Sequence, residues 1–257
     1  MKPGELVDMR AGAALSLHDR RVFNLLIEHA WSEIAEDKPH RIAIARLRGA
    51  RHKGGERVAD SVSALMTTLV EVPTMLDGEA AIFKTQLLGD TTQIIDEASP
   101  NAVLEYRFPT GLRRVIQDSR YWGRIKAYVM FAFTSKYALT LYEALCLRGN
   151  LHAKEQTFSV EDFRTLLGVE RGKMPLFKNL KLRAFDPAAE EINALSDFNV
   201  EIEPLREGGA FRGKLKGFRV SWEKKSPEEW QAVLDELFRS KVGRKARIRG
   251  TVESVTL

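Results

Sequence analysis

Between residues 135 and 222 the spacing of apolar residues changes in an order that few folds accept. Tyr137, Ala138, Leu141, Tyr142 and Leu145 recur at three- and four-residue steps, which is one face of a helix. Ser159 and Asp162 then open a shorter helical stretch with Phe163, Leu166 and Leu167 inward, and Gly168 stops it. A turn containing Gly172 and Pro175 leads to a third helix, expected over about 176–195, with Phe177, Leu180, Ala184, Ala188, Ile192 and Leu195 on its inner side. Pro187 is expected to break its backbone ladder, with Asp186 placed to cap a restarted helix. After it the period drops to two residues, through Val200 and Ile202 and again over 214–222.

The same order runs once earlier. Ser16 and Asp19 have the capping-box form, and Phe23, Leu26, Ile27, Ala30 and Trp31 follow at helical spacing, which predicts a helix over about 17–34. The stretch IAIARLRGARHKGG carries a short element and a basic, glycine-broken loop, and 56–69 is a second helix with Val58, Val62, Leu65, Met66 and Leu69 on one face. Short β-like runs follow: VEVPTM, AAIFKTQLL, TTQII and AVLEYRF. Residues 113–133 again read as helical, and a last helix closes the second copy over 227–238. Helix, short helix, helix and hairpins, taken twice, predict an α+β chain of two tandem winged-helix domains, 1–130 and 131–240, with a basic tail over 241–257.

At 257 residues, 44% hydrophobic and 29% charged, the chain has ordinary globular composition. Its single cysteine, Cys146, excludes an internal disulfide and reads as a packed core thiol. No leader-like h-region or long apolar run is present, so the expectation is a cytoplasmic, nucleoid-associated protein without a membrane span.

The net charge of +5 is modest, and its distribution says more. Arg171, Lys173, Lys178, Lys181 and Arg183 form one run, Arg206, Arg212, Lys214, Lys216 and Arg219 another, and Arg239, Lys241, Arg244, Lys245, Arg247 and Arg249 a third. Two of these flank one helix-and-hairpin unit, a footprint for a polyanion. In a helix-turn-helix the second helix of the motif offers its N-terminal residues to base edges. The expected DNA contacts are therefore Lys173, Lys178, Asn179, Lys181 and Arg183 from the turn and helix, and Arg212, Lys214, Lys216 and Arg219 from the hairpin, or wing. Arginine grips guanine bidentately, asparagine pairs with adenine, and lysine takes a base or a phosphate.

Catalysis has no candidate. GGAFRGKL, residues 208–215, fits all but the last position of a phosphate-binding loop, but Leu215 stands where a magnesium-binding hydroxyl belongs and the alternation after it is that of a strand. The stretch reads as a hairpin tip with Gly208 and Gly209 in the turn. His18, His29, His40, His52 and His152 are scattered and have no cysteine partners, so neither metal nor cofactor is expected.

The runs SKYALTLYEALCLRG, TFSVEDFRTLLGV and FKNLKLRAFDPAAEEIN resemble the second domain of the iteron-binding plasmid replication initiators, the Rep proteins. The serine-aromatic-alanine opening and the Glu191-Ile192-Asn193 ending are the most specific pieces. The similarity is continuous over about 105–223 and weaker over 15–105. It implies a second domain that reads one end of an origin repeat, and a first domain that contacts the rest or pairs with another subunit. Lys181 and Arg183 match positions usually basic in that family, whereas Leu182 departs from one often basic. The resemblance implies a non-enzymatic initiator whose monomers fill origin repeats and recruit the host initiator and replicative helicase, and whose dimer represses its own gene at an operator. A winged-helix transcription regulator without a replication role is the alternative.

Overall fold

The structure, a computed structural model, describes residues 2–7, 10–11, 15–48, 57–119, 122–209 and 213–251. The chain divides into two compact units, Met1–Arg124 and Ile125–Leu257.

The first unit runs β1 (Lys2–Pro3), α1 (Gly4–Val7), β2 (Arg10–Ala11), α2 (Leu17–Ala30), β3 (His40–Ala43), α3 (Ile44–Arg48), α4 (Val58–Thr67), β4 (Leu69–Leu76), β5 (Glu79–Gln86), β6 (Thr91–Gln93), β7 (Val103–Tyr106), α5 (Thr110–Asp118) and β8 (Trp122–Gly123). The expected capping box is present, Ser16 Oγ accepting from Asp19 N–H at 3.1 Å and Asp19 accepting from Ser16 N–H at 2.8 Å. Leu26, Ile27, Leu47, Leu65, Leu104 and Tyr106 form the core. The strands make three small sheets, β1 with β8, β2-β4-β5 and β3-β7-β6, all antiparallel. The helical reading of 113–133 is corrected here. The helix stops at Asp118 because Trp122 turns into the core, its ring 4.8 Å from Trp31 edge to face, its Nε1 donating to Ser119 O at 3.1 Å, and its backbone pairing with Pro3.

The second unit runs α6 (Ala127–Ala132), α7 (Lys136–Arg148), β9 (Glu155–Ser159), α8 (Val160–Leu166), then one continuous helical run of α9 (Phe177–Leu180), a π-turn (Lys181–Phe185) and α10 (Asp186–Leu195), then β10 (Phe198–Arg206), β11 (Leu215–Lys224), α11 (Pro227–Phe238) and α12 (Arg244–Ile248). β11 lies between β10 and β9, antiparallel to both. Gly217 makes the second pairing possible, since a Cβ there would stand 2.2 Å from Phe158 O. Phe163, Phe185 and Phe218 interlock behind the sheet, Phe218 being 4.4 Å from Phe163 and 5.5 Å from Phe185 between ring centres. Cys146 is buried, and burial pushes its thiol pKa up. Helix α6 packs with this unit: Val129 and Met130 are buried, and Lys241 Nζ donates to Phe131 O at 3.2 Å.

Pro187 does not break the helical run 177–195, the reading helix, which the sequence led us to expect at base edges. The π-turn before it widens the ladder where the ring would clash with the carbonyl four residues back. Asp186 is helical, with φ −59° and ψ −50°, and so caps nothing. Its carboxylate instead accepts from Lys181 Nζ at 2.6 and 2.8 Å.

In the first unit α4 receives its cap from a distance. Arg57 at its start offers no side-chain bond. Glu97 accepts from Val58 N–H at 3.2 Å, Ala59 N–H at 2.9 Å, Arg48 at 3.0 Å and Gln93 at 3.0 Å. Burial alone would raise this carboxyl's pKa, but the Ala59 amide, the Arg48 guanidinium and the other two donors outweigh it and hold it at about 2. A carboxylate depressed in the folded state stabilises above its ordinary pKa and loses that contribution as pH falls towards the folded value. Glu97→Ala is expected to destabilise the first unit by about 2–3 kcal/mol in urea titrations at pH 7. Wild-type stability should fall from about pH 4.5 downwards, and Glu97→Gln should flatten that fall.

Candidate nucleic-acid interface

In the second unit α8 and the helical run 177–195 form the helix-turn-helix, and β10 with β11 forms the wing. Ser159 caps α8, its Oγ accepting from Asp162 N–H at 3.1 Å. Gly172 at φ +81° and Met174 at φ +49° shape the turn. Arg164 spans it from inside, donating to Met174 O at 2.9 Å and to Lys173 O.

The C-terminal half of the reading helix is held from three sides. Glu191 accepts from Thr134 N–H at 2.9 Å, Ser135 N–H at 3.2 Å and the Thr134 hydroxyl, which ties the helix to the start of α7. Ile192 is wholly buried. Asn193 donates to Val200 O at 3.0 Å and accepts from Val200 N–H at 2.7 Å, fixing the helix to the first wing strand. Beyond the helix end, Lys225 donates to Ser196 O at 2.9 Å and Phe198 O at 2.7 Å, and burial pulls its pKa down to about 8.

The N-terminal half meets the wing through Arg206, which the sequence reading counted among the wing cations and did not place in the site. Its guanidinium lies 5.1 Å over the Phe177 ring and donates to Gly213 O at 2.9 Å, so one side chain links the reading helix to both legs of the hairpin. No sequence signal pairs Arg206 with Phe177. Gly208, at φ +62°, turns the chain after β10, and Leu215 begins a strand. The GGAFRGKL stretch is thus bounded by two strands and launches no helix, unlike a phosphate-binding loop.

The expected contact residues fall into three groups. Lys173 in the turn, Lys178 and Arg183 on the reading helix and Lys214 at the wing are exposed, and their side chains take part in no ion pair among the described residues. Asn179 is half-buried on the same helix. Lys181, Lys216 and Arg219 are exposed but each faces a carboxylate: Asp186 at 2.6 Å, Glu207 at 3.2 Å and Glu203 at 3.5 Å. Exposed pairs of this kind are worth little, so a phosphate replaces the carboxylate at small cost. Arg212 lies outside the described residues.

The third cation run is not the free footprint its sequence implied. Arg244 and Arg247 both turn onto Glu236, at 3.2 and 2.7 Å, and Arg249 onto Glu190 at 3.0 Å, which folds α12 onto the unit. Glu236 lies several residues before the run, so the sequence conceals the pairing.

In the first unit α4 exposes Asp60, Ser63 and Thr67 and no cation. The basic loop before it lies outside the described residues. The hairpin after it exposes three large apolar side chains among polar ones, Met75 at 64%, Leu76 at 66% and Ile82 at 61%, and β5 is the edge of its sheet. Among the described residues no cluster of His, Cys, Asp and Glu suits a metal, and no helix is long and apolar enough to cross a membrane.

Two family models match the chain: initiator replication protein, WH1, over residues 1–146, and initiator Rep protein, WH2, over residues 159–224. No curated protein matches it. Among solved structures it is similar to the crystal structure of the MSBI1.176 WH1 domain, a replication protein isolated from a multiple sclerosis patient. The identity is 13%, over 40% of this chain and 81% of that one, with a TM-score of 0.31.

Asn193→Ala removes both bonds to Val200 and leaves that backbone pair without its side-chain partners. The expected cost is about 1–3 kcal/mol, seen as a lower urea midpoint for the second unit.

Proposed function

We propose, from the premise that this chain belongs to the Rep initiator family of plasmid replication proteins and carries its two winged-helix domains, that it is a non-enzymatic initiator that binds the repeated sequences of a plasmid origin. The observation that carries this reading is the second unit's surface. A helix clamped at its C-terminal half presents Lys178, Asn179 and Arg183 at its N-terminal half, beside a wing that carries Lys214. Helix side chains suit base edges, and the wing lysines suit the phosphate backbone. The apolar side chains exposed on the edge hairpin of the first unit support self-association, and with it repression of the chain's own gene by a dimer at an operator. Recruitment of the host initiator and replicative helicase is part of the same reading by family.

The two kinds of DNA contact separate in binding titrations that compare the chain's preferred duplex with scrambled DNA; direct repeats beside the gene are what this reading expects. Arg183→Ala should cost about 1–3 kcal/mol on the repeat and flatten preference at one base pair. Lys214→Ala should weaken repeat and scrambled DNA alike and lower the salt slope by about 1. Equal loss on both duplexes for Arg183→Ala sinks the assignment of the reading helix. A lone inverted repeat in place of direct repeats favours a transcription regulator.

The strand that begins at Leu215 supports a reading without nucleotide chemistry. Equilibrium dialysis with magnesium and labelled ATP should show no saturable binding. Micromolar binding abolished by Lys214→Ala overturns this.

A further inference from the structure

Leu182 stands in the middle of the cationic face of the reading helix, and 63% of it is exposed. The π-turn puts three successive side chains, Lys181, Leu182 and Arg183, on the solvent side, while Leu180 and Ala184 on either side of them are buried. Lys178 and Asn179 precede Leu182 by one turn. Asp186 draws the Lys181 ammonium towards the next turn of the helix, which leaves the leucine beside Arg183 at the point offered outward.

An isobutyl group in that place neither donates nor accepts a hydrogen bond. It gains nothing from a phosphate or from the polar edges of guanine, adenine or cytosine. The major groove displays one apolar group, the C5 methyl of thymine. The three cations around Leu182 argue against a protein partner, because charged residues are depleted where protein interfaces bury their centres. They suit the groove of a polyanion.

We propose that Leu182 is a specificity-determining residue that packs on the methyl group of a thymine adjoining the base pair contacted by Arg183. This rests on the reading of residues 177–195 as the groove helix. It gives the chain a preference for thymine at one position of its repeat, where a basic residue prefers guanine or a phosphate.

The test changes the DNA by one methyl group at a time. The full chain's preferred duplex is selected from a random double-stranded pool, and each thymine is replaced in turn by deoxyuridine. Binding is read by fluorescence anisotropy for the wild type and for Leu182→Ala. Wild type should lose about fourfold in affinity at one thymine, the worth of burying one methyl-sized group. Leu182→Ala should bind the thymine duplex correspondingly less well and show no further loss with uracil there, the non-additivity of groups in contact. Two results overturn the proposal: wild type that prefers its site to scrambled DNA yet tolerates uracil everywhere, or an undiminished uracil penalty in Leu182→Ala, which assigns the methyl contact to a different residue. A chain with no preference over scrambled DNA overturns the initiator reading itself, and this proposal with it. The leucine is exposed, so the alanine variant vacates no core, and the uracil duplexes leave the protein unaltered.

Discussion

The exposed cationic half of the helical run 177–195 depends on one turn at its other end, which is taken up by bonds within the unit. Glu191 gathers the free amides at the start of α7, Ile192 fills the core and Asn193 closes both hydrogen bonds of Val200. Three consecutive residues thus fix the helix to the start of α7, to the core of the unit and to its wing. With that end immobile, the other end is aimed. The Arg206 guanidinium over Phe177 adds a second joint where the helix begins. Rotation about the helix axis, which would swing Arg183 away from its present exposed position, has to break contacts at both ends.

The fold was legible wherever local chemistry decides. The capping box at Ser16 and the Ser159 cap mark helix starts in sequence and in structure alike. The hairpin at Gly208 was readable because alternation on both sides outweighs a phosphate-loop pattern. What stayed hidden depends on partners far along the chain. Trp122 ends a helix by packing on Trp31, a contact that helical periodicity over 113–133 cannot register. Pro187 was expected to break its helix, and a single widened turn absorbs it. The surface cations were visible as a list, but their partners were not: Asp186, Glu203, Glu207 and Glu236 decide which of them stand free. The Glu191-Ile192-Asn193 ending was visible only as a family mark, and its bonds show it to be a structural clamp.

Pairing on the surface also sets how the cations are spent. A lysine that already faces a carboxylate has part of its charge balanced before any DNA arrives, so it adds less to the long-range field than Lys178 or Arg183. The unit therefore carries a smaller attractive field than its count of Lys and Arg suggests. The helix cations left without an acidic partner among the described residues, Lys178 and Arg183, carry the larger share of that field.

Glu97 bears on how the first unit assembles. The residue that completes the start of α4 arrives 39 positions after Val58, so the helix is left open until β4 to β6 and the following turn have been placed. Its nucleation is tied to closing a long loop, whose entropy has to be met before the cap repays it. An isolated peptide of ten residues with uncapped amides has little reason to be helical. Helix α4 is then a late arrival, formed together with the strands that follow it. A nascent chain cut before Glu97 presents no preformed helix for those strands to pack against.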